Sequence, residues 1–124
     1  IGQLLEPMGT LTFDEAYDII LEQVETVKDQ VDLVLFETMS DLYEVKAGVL
    51  AVKEHTDLPV FVTMTFEQNG RTLSGNDPET FINVAEGLGV DALGVNCSLG
   101  PDELKPIIDE ILEKCYSPMP DFHV

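Results

Sequence analysis

The sequence predicts an α/β fold of parallel βα units, with three full strands, four helices and the start of a fourth strand. Three observations carry this. Short apolar runs alternate with segments whose apolar residues recur at helical intervals. The runs start about 30 residues apart, near positions 31, 58 and 90. Each run stays apolar until its C-terminal end, as strands enclosed on both faces of a parallel sheet do. Eight such units make roughly 250 residues, the size of a (β/α)8 TIM barrel, and this chain has about half of that. A small doubly wound sheet fits the same alternation.

The elements follow in order. "TLTFDEAYDIILEQVETVKD" opens with Thr12 and Glu15 in capping-box spacing, and Phe13, Ala16, Tyr17, Ile20, Val24 and Val27 form an apolar face. "VDLVLFET", 31–38, is the first strand. Ser40 or Asp41 caps the next helix, which sets Leu42, Val45, Val49 and Val52 on one side. "LPVFVTMTF", 58–66, is the second strand, and "EQNGRTLSGN" is a polar loop. Asp77-Pro78 starts a helix that ends near Gly89, with proline at its first position. "VDALGVNC", 90–97, is the third strand, and Gly100-Pro101 starts the last helix. Pro106 lies beyond the first turn, so a bend or a delayed start is expected there. "HTDLPVFV" and "CYSPMPDFHV" each follow a helix and echo one another, so the second should open the fourth strand. The chain starts at Ile1 inside a loop-like stretch and stops as that strand begins, so residues 1–124 read as a partial domain cut at both ends.

The charge balance restricts partners. Asp and Glu number 24 against 6 Lys and Arg, giving a formal net charge of -18. Such a surface repels phosphate backbones and anionic lipid, which argues against nucleic acid and membrane as partners. Arg71 is the only arginine, so an anion site built on several guanidinium groups is excluded. No apolar run is long enough to span a bilayer, and no secretory signal is visible. Two cysteines without a compact framework fit a reducing, cytoplasmic compartment.

The polar strand ends mark the candidate site. Glu37-Thr38 ends the first run, Thr63 and Thr65 lie in the second, and Asn96-Cys97 ends the third. Parallel strands place these ends on one rim, where α/β folds build their sites. Each residue also has an ordinary reading. A lone strand cysteine is usually a small buried residue. The ordinary reading of Glu37 is a helix cap or a lysine partner, since an unpaired buried carboxylate is costly. Asn96 reads most simply as a hydrogen-bond partner of loop backbone. Thr63 and Thr65 are good strand formers. Cys97 and Cys115 flank a helix of about 13 residues, so some 20 Å separates them and they cannot share a metal. His55 and His123 follow helices and should lie at the opposite rim.

"FET", "VTMTFEQNGRTLSG" and "GVNCSLGP", together with "QLLEPMGTLTFDEAY", resemble the homocysteine-binding domain of cobalamin-dependent methionine synthases, within the wider homocysteine S-methyltransferase family. The resemblance implies a (β/α)8 barrel of which this chain covers the fourth to sixth strands. It implies that Cys97 is the first of three thiolates on a catalytic zinc, that Glu37 receives the ammonium of homocysteine, and that Asn96 shapes the pocket. The zinc-bound thiolate would take a methyl group carried by cobalamin on another module, giving methionine. The remaining ligands, the other barrel half and the folate and cobalamin modules would lie outside these residues, leaving the isolated piece inactive. "MPDFHV" departs from the family's apolar seventh strand through Asp121 and His123. The alternative is a non-enzymatic half-barrel or flavodoxin-like module that binds a partner, or itself, through an exposed sheet edge.

Overall fold

A computed structural model of the chain describes residues 1–115. Its elements are α1 Phe13–Val27, β1 Val34–Met39, α2 Leu42–His55, β2 Val60–Met64, α3 Pro78–Gly87, β3 Ala92–Val95 and α4 Pro101–Lys114. The expected fourth strand, with Asp121 and His123, lies outside the described residues.

Local chemistry sets the helix starts as expected. Thr12 and Glu15 form a reciprocal capping box on α1. Asp41, not Ser40, caps α2 by accepting from the Tyr43 N–H at 2.9 Å. Asp77 caps α3 through the Thr80 N–H, with Pro78 following it. Glu103 folds back to accept from the Gly100 N–H at 2.8 Å at the start of α4. Pro106 does not delay that helix, which runs unbroken from Pro101. Asp102, whose carbonyl loses its i+4 donor at Pro106, is exposed. Water can serve that carbonyl, so the proline is tolerated there.

The strands pair in parallel in the order β1-β2-β3. They are shorter than their apolar runs because residues 31–33 and Leu58 lead into the sheet, and Pro59 meets it only through its carbonyl, which accepts from the Val34 N–H at 2.9 Å. Asp91 ties the lower ends together, accepting from the Val60 N–H at 2.8 Å and from Lys53 at 2.9 Å. The register pairs Val34 with Val60, Phe36 with Val62, Val62 with Leu93 and Met64 with Val95.

The two faces of the sheet differ. Val60, Val62, Met64, Leu93 and Val95 are buried in one cluster with Ile20, Val45, Phe81 and Ile107, one from each helix. All four helices therefore cover the same face. On the other face Leu35 is 47% exposed, and Phe61, Thr63 and Ala92 are partly exposed. This corrects the expectation that the strands are enclosed on both faces. Sequential strand order with helices on one side is the wall of a (β/α)8 barrel, and a doubly wound sheet would carry helices on both.

Candidate functional site

β1 does not end regularly. Phe36 pairs with Val62 but Met39 pairs with Met64, so β1 holds one more residue than β2 over that interval. The bulge falls at Glu37-Thr38, and Thr38 takes φ 58°. Cys97 and Ser98, just past β3, take φ 61° and 58°. These are the non-glycine residues with left-handed backbone among the described residues, and all lie at the C-terminal strand rim. A β-branched residue in that region is unfavourable by about 1–3 kcal/mol and persists only where the surroundings impose it.

Hydrogen bonds supply that constraint. The Thr38 N–H donates to Thr63 Oγ1 at 2.9 Å. Asn96 Nδ2 donates to Thr38 Oγ1 at 2.7 Å, linking the ends of β1 and β3 across β2. The Thr65 hydroxyl donates to the Asn96 carbonyl at 3.1 Å. The Asn96 side chain thus bonds a side chain and not loop backbone, while its Oδ1 is buried without a partner among the described residues. Thr63 and Thr65, read as strand formers, brace the rim as well.

Glu37 and Cys97 are both exposed. Glu37 makes no hydrogen bond or ion pair with the described residues, and Asp41 holds the capping role considered for it. In this chain the open sheet face leaves Glu37 in solvent, so its carboxylate needs no partner from these residues. It lines a cleft of about 270 Å³ with Leu4, Thr38, Met39 and Ser40. Above the rim, Ser74 draws the β2–α3 loop onto the β1–α2 loop through its hydroxyl, which donates to the Ser40 carbonyl at 3.3 Å. Asp14, Glu15, Glu44, Glu79, Asp102 and Glu103 occupy first helical turns, where the helix dipole favours them.

The chain matches the family described as homocysteine S-methyltransferase over residues 1–122. It belongs to that family. Among solved structures it is similar to the homocysteine methyltransferase MmuM from Escherichia coli in its apo form, with a TM-score of 0.77 and 16% identity. That likeness covers 94% of this chain and 45% of MmuM, so the chain spans under half the length of this family relative. At this identity the likeness concerns the fold, and it agrees with the barrel wall described above. No helix among the described residues is long and apolar enough to cross a membrane.

The two thiols of this family member differ. Cys97 precedes α4 and Cys115 follows it, and 14 helical residues span about 20 Å. Cys115 is half-buried and donates to Glu86 Oε1 at 3.2 Å. Burial first, and then the Glu86 carboxylate, push its thiol up to about 11. His55 lies at the other end of the sheet, with Nε2 3.1 Å from the Tyr17 hydroxyl. Iodoacetamide at pH 8 should therefore alkylate Cys97 at least about tenfold faster than Cys115, since the thiolate reacts and exposure controls access. Peptide mapping over time would reveal it, and equal rates would contradict the burial assigned to Cys115.

Proposed function

We propose that residues 1–124 are part of the homocysteine-binding barrel of a homocysteine S-methyltransferase acting in methionine synthesis. The observation that carries this is Glu37: an exposed carboxylate without a partner among the described residues, on the same braced rim as the exposed Cys97. A free carboxylate at a strand end suits a substrate ammonium, and a thiol across the rim suits the sulfur end of the same substrate. Asn96 shapes the floor between them. The motifs around Glu37 and Cys97 favour a methyl group borne by cobalamin on another module, charged in turn from a folate module.

A zinc ion in this site would supply chemistry at the substrate sulfur by holding it as a thiolate. Such a site needs at least three protein ligands. Among the described residues no group of three His, Cys, Asp or Glu side chains is placed to hold a metal. These residues do not form a zinc centre by themselves. Cys97 offers one ligand, and the others would come from the remainder of the barrel. Its free thiol fits a reducing, cytoplasmic setting. In the isolated chain, exposed Leu35 on the bare sheet face favours self-association.

The test uses the complete barrel domain and this chain side by side. The domain should bind zinc and homocysteine, and Cys97→Ala should remove most of the zinc, read by elemental analysis. Full zinc retention would take Cys97 out of the ligand set. The 124-residue chain should show no methyl transfer, and turnover by it would overturn the proposal that further ligands are required.

A further inference from the structure

We propose that the Thr38–Asn96 hydrogen bond is a clamp that sets the span between Glu37 and Cys97, and so selects the chain length of the amino-acid thiol the site accepts. This rests on the reading of Glu37 as the ammonium partner and Cys97 as the residue at the sulfur end. Glu37 and Thr38 are chain neighbours, as are Asn96 and Cys97. β1 and β3 lie two strand spacings apart, roughly 10 Å, and do not pair with each other. The bulge carries Thr38 over the end of β2, where the 2.7 Å bond to Asn96 bridges that gap. Thr63, in β2, holds the Thr38 backbone, and Thr65, just past β2, holds the Asn96 backbone, so both ends of the bridge are anchored to the same segment.

Stability alone does not explain the arrangement. Thr38 sits at φ 58°, where glycine would be unstrained, and Asn96 Oδ1 is buried without a partner among the described residues. Glycine at 38 would relieve the backbone but lose the hydroxyl that reaches Asn96. Strain and an unsatisfied polar atom meet at one bond whose effect is to fix two neighbouring residues relative to each other. Thr38 and Asn96 are positioning residues in this scheme. A fixed span matters for a substrate held at both ends, because homocysteine and cysteine differ by one methylene, a difference that sites discriminate by about 10- to 200-fold.

The experiment measures homocysteine and cysteine dissociation constants in the complete domain. Thr38→Val keeps the β-branched shape and removes the hydroxyl, and Thr38→Ser restores it. Thr38→Val should lower the homocysteine-to-cysteine affinity ratio by roughly fivefold or more, with Thr38→Ser within about twofold of the parent. Asn96→Ala removes the other end of the clamp and should shift the ratio the same way, which keeps the test decisive if Thr38→Val fails to fold. A merely structural role would weaken both ligands alike, and an unchanged ratio in these variants overturns the clamp. Glu37→Gln separates the two ideas. If it leaves homocysteine binding intact, the underlying site reading falls and the clamp with it. If it weakens binding while the Thr38 and Asn96 variants keep their ratio, only the clamp falls.

Discussion

Phe81→Ala should lower the stability of this chain by about 3–5 kcal/mol, the usual cost of emptying a buried phenylalanine site. Phe81 lies in the first turns of α3 and is completely buried. Its ring meets Phe66, just past β2, at a centroid distance of 6.3 Å and an interplanar angle of 61°. That edge-to-face pair joins α3 to the segment that follows β2 and leads into the polar loop 67–76. Alanine would remove the ring's apolar burial and leave Phe66 without its aromatic neighbour. Denaturant unfolding would measure the loss, and Leu73→Ala, which truncates a side chain 51% exposed, should stay within about 0.5 kcal/mol. A Phe81→Ala loss below about 1 kcal/mol would mean that α3 does not pack on the sheet as described.

Glu37→Gln should weaken homocysteine binding to the complete domain by roughly 1.5–3 kcal/mol, the scale of a hydrogen bond to a charged group. The substitution keeps shape and hydrogen-bonding capacity and removes the charge. Because Glu37 is exposed and caps no helix, fold and zinc content should hardly change. A homocysteine analogue without the amino group should bind parent and variant about equally, as it has no ammonium to meet the carboxylate. Calorimetry with both ligands measures the two effects. Lost stability with intact homocysteine affinity would make Glu37 structural.

The candidate site's residues are legible along the chain, because polar residues ending otherwise apolar runs are visible without coordinates. Glu37, Asn96 and Cys97 stood out this way, and the motifs around them led to the family. Thr38, next to Glu37, carries no such mark of its role. Nothing local shows that a threonine will take a left-handed backbone or meet an asparagine 58 positions away. The only available signal was that a polar residue beside Glu37 shared its rim with Asn96.

The order of the βα units and the starts of the helices are local properties of the chain. Thr12 with Glu15, Asp77 with Pro78, and Gly100 with Pro101 act on backbone groups within one turn, so their effect is written in adjacent residues. Which sheet face is covered depends on packing. Leu35 and Val62 are equally apolar as letters, yet the helices bury one and leave the other in solvent. Periodicity reports that a run is apolar but not which neighbours its side chains will find. The β1 bulge, the Thr38–Asn96 bond and the raised Cys115 thiol likewise depend on register and on contacts between distant segments. Those contacts exist only once strands and helices have packed, which is why the spacing of Glu37 and Cys97 belongs to the fold and not to either motif.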